Sequence, residues 1–289
     1  MAERVLVTLD GKVRDADQPL LHADDHAAVR GDGVFETVLV RSGRACVLEY
    51  HLERLAASAE ALELPAPDLD RWRQVVETAV GEWGADAEGM LRMVLSRGRE
   101  SGGAATAYVT VGPVADRVAQ ARADGITAMT LARGHSIELS QTAPWQLLGA
   151  KTLSYATNMA ALRFAERCHT DDVIFVSSEG RVLEGPRSTV VIMRDKTLIT
   201  PPRSHGILAG TTQRALFEVA EDKGYTCEYA PLFPADLITA GGVWLVSSVT
   251  LAARVHTLDG LPLDEPAANA EFVAMVNLAV ETIGTQLRS

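Results

Sequence analysis

The order of strand-like and helix-like segments constrains the fold of this chain more than any other feature of its sequence. Two β-rich runs come first, at 4–9 and 33–48, and the Ser42-Gly43 turn inside the second predicts a hairpin. Apolar residues then recur at steps of three and four from 49 to 64, which predicts an amphipathic helix, and a second helix is expected from 69 to 83. Strands at 90–98 and 106–112 complete an α+β first half.

The second half mixes strands and helices without a regular βαβ rhythm. The pattern predicts a strand at 126–132 after a lead-out segment at 114–124, helices near 158–167, after Gly210 and at 266–286, and strands at 173–176, 189–193, 243–248 and 253–258. We therefore expect two domains, residues 1–120 and 121–289, and neither a Rossmann fold nor a TIM barrel. Glycine-rich dinucleotide and phosphate-loop motifs are missing from the sequence.

The charge balance argues against nucleic-acid and membrane partners. The net charge is -11, and the basic residues are scattered rather than clustered. Residues 1–13 lack the basic start and apolar run of a signal peptide, and we find no apolar stretch long enough to span a bilayer. The cysteines Cys46, Cys168 and Cys227 are odd in number and widely spaced, which argues against disulfides and zinc. We expect a cytoplasmic protein.

Lys151 follows a short apolar segment and precedes a hydroxyl-rich one, in LLGAKTLSYATN. A lysine removed from water would have a lowered pKa, and the neutral amine is the form that attacks a carbonyl in Schiff-base formation. By itself, the segment fits a surface lysine at a strand end better. The interpretation depends on its companions elsewhere in the chain.

Four other segments carry polar residues suited to holding a small charged ligand. In VLEGPRST, Glu184 precedes a Gly-Pro turn and the pair Ser188-Thr189, and a buried carboxylate there needs a cationic partner. In GILAGTTQRALFEVA, Thr211 and Thr212 open a helix whose first amides suit a phosphate, whereas an ordinary N-cap is the alternative. Ser248 and Thr250 end a strand, and Arg54 on the first helix offers a planar fork for phosphate. A solvated glutamate or arginine remains open at each charged position.

Together, these segments resemble the class IV fold of pyridoxal 5'-phosphate (PLP) enzymes, which includes branched-chain aminotransferases, D-amino acid aminotransferases and 4-amino-4-deoxychorismate lyases. The resemblance runs in order through RGDGVFETVLVRSG, HLERL, the lysine segment, LEGPRST, GILAGTTQRALFE and SSVTLAARVHTLDG. It implies an α+β, D-amino acid aminotransferase-like fold with a smaller N-terminal α/β sandwich. The larger C-terminal domain would be a mixed, barrel-like sheet that binds PLP and carries the lysine.

The resemblance also implies roles for individual residues. Lys151 would form the Schiff base and shuttle the proton, Glu184 would pair with the pyridine nitrogen, and Tyr155 would lie near the cofactor ring. The remaining cofactor contacts would come from the phosphate-binding and neighbouring hydroxyl residues: Arg54, Thr211, Thr212, Ser248, Thr250, Ser188 and Thr189. Two positions depart from the family, because Thr189 replaces the usual asparagine and Gln213 the usual arginine.

Substrate-side residues favour a lyase within this family. The lyases carry a threonine at the position of Thr37, where it assists proton transfer, and Phe35 stands where D-amino acid aminotransferases have a tyrosine. The segment LSRGRESGG lacks the Pro-Arg-x-His of those aminotransferases. Arg97 or Arg99 would still be available to bind substrate carboxylates, and a solvated side chain is the alternative at each. We therefore expect cleavage of 4-amino-4-deoxychorismate, with D-amino acid or branched-chain transamination as the alternative or second activity.

The resemblance implies a homodimer acting on a small-molecule substrate. A different class of function is suggested by His22, Asp24, Asp25 and His26, whose proximity raises a non-enzymatic metal-binding module as a remote alternative. Further potential metal ligands do not cluster near these four residues in the sequence, so we expect no metal in the predicted PLP site.

Overall fold

The computed structural model describes residues 4–283, which form two compact units. Among the described residues, the first unit comprises 4–115, 150–155 and 282–283, and the second comprises Asp116–Gly149 and Ala156–Glu281. The sequence analysis placed Lys151 in the second domain, but its segment belongs to the first unit. The boundary expected between residues 120 and 121 stays a prediction.

The first unit is built on one antiparallel sheet with helices packed on it. Its strands are β1 (Val5–Thr8), β2 (Val13–Arg14), β3 (Gly33–Arg41), β4 (Arg44–Ala45), β5 (Gly89–Ser96) and β6 (Thr106–Pro113), in the order β2-β1-β6-β5-β3-β4. Its helices are α1 (His26–Val29), α2 (Leu48–Ala61) and α3 (Leu69–Trp83). The predicted hairpin is confirmed, because Ser42 and Gly43 both have positive φ between β3 and β4.

Both helices predicted from apolar periodicity in this unit are confirmed. Helix α3 begins at an Asp68 side chain that accepts a hydrogen bond from the Arg71 amide at 3.0 Å, and it ends at Gly84, whose φ is 88°. Its buried face includes Trp72, Val76 and Trp83. Helix α2 buries the predicted leucine stripe together with His51, which the periodicity did not single out.

The second unit contains a mixed sheet with the strand order β11-β10-β9-β12-β13-β7-β8, and β14 pairs with β13. Its helices and strands, in chain order, are α4 (Asp116–Asp124), β7 (Ile126–Ala132), α5 (Leu139–Thr142), α6 (Ala156–Arg167), β8 (Asp172–Val176), β9 (Thr189–Arg194), β10 (Thr197–Thr200), α7 (Thr211–Asp222), β11 (Thr226–Tyr229), α8 (Pro234–Ile238), β12 (Gly242–Ser247), β13 (Leu251–Leu258), β14 (Leu261–Pro262) and α9 (Asn269–Thr282). Ile174, Val190, Ile192 and Leu245 lie in its buried core.

Several segments of this unit differ from the sequence expectation. Residues 114–124 were expected to lead from one domain to the next, but most of them form α4. The short strands β10 and β11 were not anticipated. The closing helix was expected over 266–286; it covers Asn269–Thr282, and residues 284–286 lie outside the described residues. In the part of the chain that the structure describes, every helix is too short or too polar to cross a bilayer.

Candidate active site

The segment that carries Lys151 extends the first unit's sheet along part of β3. The Phe35 amide donates to the Lys151 carbonyl at 3.0 Å, the Leu153 amide donates to the Gly33 carbonyl at 2.8 Å, and Val34 bridges to Thr152 in antiparallel register. Lys151 therefore stands directly opposite Phe35. Directly paired residues of antiparallel strands point to the same face, so both side chains share one face of the sheet.

Aromatic rings surround the Lys151 ammonium group. Its Nζ lies 4.5 Å from the centroid of the Phe35 ring and 5.6 Å from that of Tyr155, and the two rings meet edge to face at 5.4 Å. The Lys151 amide donates to the Ser58 hydroxyl on α2 at 3.1 Å. With its carbonyl bonded to β3 and its amide bonded to α2, the lysine backbone is held on both sides.

Thr37 shares the face of Phe35, because successive side chains of a strand alternate between faces. Its partner in the β3–β5 register is Arg92, a residue that the sequence analysis did not select. Arg92 is exposed and lies beside the Met90 sulfur, with 3.7 Å between Nη2 and Sδ. The structure therefore brings together Lys151, Phe35, Tyr155 and Thr37, and adds a cation on the same face.

The opposite face of β3 carries a buried charged cluster. Arg54 donates from Nε and Nη2 to the two oxygens of Glu36, both at 2.7 Å, and His51 Nδ1 lies 2.7 Å from Oε2. Burial would raise the pKa of the Glu36 carboxyl, but the Arg54 guanidinium and the hydrogen bonds from Arg54 and His51 lower it to about 2. Burial lowers the pKa of the His51 imidazole, which is therefore neutral at pH 7. Arg54, proposed for phosphate binding, thus has a fixed carboxylate partner.

Arg97 and Arg99, expected to bind substrate carboxylates, both hold loop contacts. Arg97 pairs with Asp32 at 2.6 Å and donates to the Leu62 and Glu63 carbonyls, while Arg99 pairs with Asp24 at 2.9 Å. Their substrate role stays a prediction. Arg97 already has four acceptor atoms around its guanidinium.

Asp24 and Asp25, the acidic residues of the metal-binding alternative, also make hydrogen bonds to neighbouring segments. Asp25 is fully buried and accepts hydrogen bonds from the Ser96 hydroxyl at 2.7 Å, the Thr106 hydroxyl at 2.6 Å and the Ala27 amide at 2.8 Å. Asp24 is occupied by Arg99 and the Ser101 amide. Within residues 4–283, groups of three or more histidines, cysteines and acids placed to hold a metal ion do not occur. These contacts support a structural role for the segment.

In the second unit, Glu184 and the first turn of α7 flank the segment around Leu208. The Glu184 carboxylate accepts a hydrogen bond from the Leu208 amide at 3.1 Å. Two residues of the predicted phosphate set come together here, because the hydroxyl oxygens of Thr211 and Ser248 lie 3.4 Å apart. The first amides of a helix have no acceptor within the helix, and they attract anions. This turn therefore has the donors that a phosphate requires.

The remaining predicted hydroxyl residues lie close to the backbone of their own turns. The Ser188 hydroxyl oxygen is buried without a hydrogen-bond partner among the described residues, and a side chain at Gly185 would overlap it. Thr189 is buried beside Gly210, where even a methyl group would overlap the Thr189 hydroxyl. The Thr250 amide donates to Ser247 Oγ at 3.3 Å. The glycines thus allow a close approach of backbone and hydroxyl groups.

Similarity to known proteins identifies the family of this chain. The model of the family "Amino-transferase class IV" matches residues 33–258. A bifunctional aminodeoxychorismate lyase / D-amino acid transaminase from Mycobacterium tuberculosis is 56% identical over 285 residues, which cover 96% of this chain and 99% of that protein. The chain belongs to the class IV aminotransferase family.

Solved structures of other class IV aminotransferases share the fold. A hypothetical aminotransferase from Mycobacterium tuberculosis in its PLP-bound form has a TM-score of 0.94 at 57% identity, covering 96% of this chain and 98% of that one. A fold IV transaminase from Curtobacterium pusillum has a TM-score of 0.90 at 40% identity, covering 96% and 99%. The expected α+β, class IV fold is confirmed, and so is pyridoxal 5'-phosphate as the cofactor.

The side chains of this class IV family member are of the kinds that PLP requires. An amine can react with the aldehyde of PLP, a carboxylate can pair with its ring nitrogen, and a guanidinium or a helix N-terminus can bind its phosphate. The buried, unpartnered Ser188 hydroxyl and the Gly210 turn are features that a bound polar group would explain. The assignment of each residue to an atom of the cofactor stays a prediction.

Proposed function

We propose that this class IV enzyme cleaves 4-amino-4-deoxychorismate to 4-aminobenzoate and pyruvate, with transamination of D-amino acids as a second activity. The observation that carries the proposal is the shared face of Thr37 and Lys151, beside Phe35 rather than a tyrosine. The Mycobacterium tuberculosis relative named for both activities supports it. A D-amino acid aminotransferase alone, or a branched-chain one, is the alternative.

Lys151 would carry the reacting proton in this scheme. Bound PLP supplies an aldehyde that condenses with an amine and a ring that accepts electrons from the neighbouring carbon. The Lys151 amine would take the proton from the substrate's ring carbon, and the carbon–oxygen bond to the enolpyruvyl group would break. The Thr37 hydroxyl would return a proton to the leaving group, which becomes pyruvate.

The other residues would bind and orient the cofactor and the substrate. Glu184 would keep the pyridine nitrogen protonated, and Arg54 with the α7 threonines would hold the phosphate. Tyr155 would pack near the ring. Arg92, Arg97 or Arg99 would bind a substrate carboxylate, and the exposed side chain of Arg92 on the Thr37 face favours Arg92.

The choice between lyase and transaminase is tested with purified holoenzyme. With 4-amino-4-deoxychorismate and no keto acid, we expect stoichiometric release of 4-aminobenzoate and pyruvate. Thr37→Val should lower this rate by about 10- to 100-fold, while D-alanine transamination with 2-oxoglutarate changes by less than about 3-fold. Thr110→Val, which removes a hydroxyl from β6 of the same sheet, is the control. Transamination without any lyase turnover would overturn the proposal.

We also propose that the enzyme is a cytoplasmic homodimer. Helix α6 supports dimerisation, because Met159 and Phe164 are 40% and 41% exposed and Ala165 is its one buried residue. The cysteines Cys46, Cys168 and Cys227 are all free, as suits a reducing compartment. Light scattering should give twice the chain mass for the wild type and a smaller mass for Phe164→Lys; a wild-type monomer would contradict the dimer.

A further inference from the structure

Glu36 makes three short hydrogen bonds that occupy both of its oxygens. Oε1 accepts from Arg54 Nε, and Oε2 accepts from Arg54 Nη2 and from His51 Nδ1, each at 2.7 Å. Glu36 is 0% exposed and His51 is 1% exposed, so solvent does not compete for these bonds. Two parallel bonds fix the plane of the Arg54 guanidinium as well as its position.

The charges of the cluster balance within the first unit. Glu36 is ionised at neutral pH, His51 is neutral and donates from Nδ1, and Arg54 carries the single positive charge. A buried carboxylate and guanidinium are tolerated when each satisfies the other. The Arg54 side chain is 9% exposed, so it has little freedom to find a different partner.

We propose that Glu36 is a positioning residue that sets the affinity for the cofactor's phosphate by holding the Arg54 guanidinium in one orientation. The inference rests on the proposed phosphate role of Arg54 and deepens it. Glu36 lies on the face of β3 opposite to Phe35 and Thr37, and acts through Arg54 without touching the substrate.

Two effects of removing the Glu36 charge oppose each other. Loss of a negative charge beside Arg54 strengthens the attraction of the cluster for a phosphate dianion. Without the two carboxylate oxygens of Glu36, the Arg54 guanidinium is free to rotate. In Glu36→Gln, the NH2 group of the glutamine amide would face an N–H group of Arg54, and neither can accept a hydrogen bond. We expect orientation to dominate, because a bidentate acceptor fixes a geometry that a point charge does not.

Two substitutions separate charge from orientation. Glu36→Gln removes the charge and the fork. Glu36→Asp keeps the charge but draws the carboxylate back by about one carbon–carbon bond, roughly 1.5 Å, so it no longer spans both nitrogens. If charge alone matters, Glu36→Asp binds PLP as the wild type does; if orientation matters, both variants weaken binding.

The readout compares PLP with pyridoxal, which lacks the phosphate. Cofactor-free protein is titrated with each ligand, and the ratio of the two Kd values isolates the phosphate contribution. We expect Glu36→Gln and Glu36→Asp to raise the Kd for PLP by about 10-fold or more, and that for pyridoxal by less than about 3-fold. Arg54→Lys should give a similar loss, and adding Glu36→Gln to it should change the Kd for PLP little.

Glu49→Gln is the matched control. Glu49 makes the same forked contact with Arg73, at 2.9 and 2.7 Å, between α2 and α3, and its loss should leave both Kd values unchanged. Equal weakening of PLP and pyridoxal would show a purely structural role for Glu36 and overturn the proposal. Tighter PLP binding by Glu36→Gln would overturn it in favour of charge. Unchanged PLP binding by Arg54→Lys and Arg54→Ala would instead refute the phosphate role of Arg54 and therefore the positioning role of Glu36. The lyase activity is tested separately, so this result would leave the proposed reaction standing.

Discussion

Replacing Gly210 with alanine should destabilise the second unit. The backbone of Gly210, with φ of −66° and ψ of 115°, is one that alanine adopts without strain. The added methyl group, however, would overlap the Thr189 hydroxyl and lie 3.2 Å from Gln213 Cβ and 3.3 Å from Thr189 Cβ. Thr189 is buried and paired with Val246 of β12, so it cannot move aside freely. The obstacle is therefore steric.

The expected magnitude follows from two opposing contributions. Overpacking by one methyl group costs about 1 to 3 kcal/mol. Restricting the unfolded chain by Gly→Ala returns about 0.4 to 1 kcal/mol. The net loss in the free energy of unfolding should be about 1 to 2 kcal/mol, and the Kd for PLP should rise because Thr211 and Thr212 follow directly.

Urea unfolding of cofactor-free protein measures this loss, and two controls interpret it. Gly81→Ala, in the last turn of α3 with open space around the new methyl group, should instead stabilise by up to about 0.5 to 1 kcal/mol. In a Thr189→Ala background, Gly210→Ala should cost less than about 0.5 kcal/mol, since the obstructing hydroxyl is gone. Equal stability of Gly210→Ala and wild type would refute the close approach on which the argument rests.

Three further predictions follow from the first unit. Arg97→Met should lower the free energy of unfolding by about 1 to 3 kcal/mol in urea, because Asp32 and two carbonyls lose a donor; an effect on KM alone would contradict this. The free energy of unfolding should decrease as the pH is lowered, first below about 6.5, because burial disfavours a protonated His51, and again from about 4.5 to about 2, where Glu36 loses its charge. A free energy of unfolding in urea that stays constant from pH 8 to 4 would contradict this. Arg92→Gln should raise KM for a carboxylate substrate by about 10-fold with PLP affinity unchanged, whereas an unchanged KM would remove Arg92 from the site.

Local pattern predicted much of the first unit. The leucine spacing was enough for α2, because that signal lies within one helix, and the helix expected at 69–83 is α3, where the structure adds the Asp68 cap. The strands β10 and β11 were missed because each has four residues and their pairing partners lie elsewhere in the chain. Short strands carry too little periodicity to identify alone.

The motifs identified the chemistry but not the contacts that support it. The roles of Lys151 and Glu184 stay predictions, but both residues were selected from their surroundings and from the family resemblance. Arg92 was not, since its importance depends on the register that places it opposite Thr37. Glu36 carried a readable signal, because alternation places it with the buried Val34 and Val38 on one face of β3. A charged residue in that position needs a partner, and this points to Arg54.

We propose that Lys151 is the residue that binds the cofactor covalently. Borohydride reduction of the PLP-loaded enzyme, followed by proteolysis and mass spectrometry, tests it directly. We expect a pyridoxyl group on the peptide that contains Lys151, whose amine lies beside the rings of Phe35 and Tyr155. A pyridoxyl group on Lys12, Lys196 or Lys223 instead, or on no lysine, would contradict it.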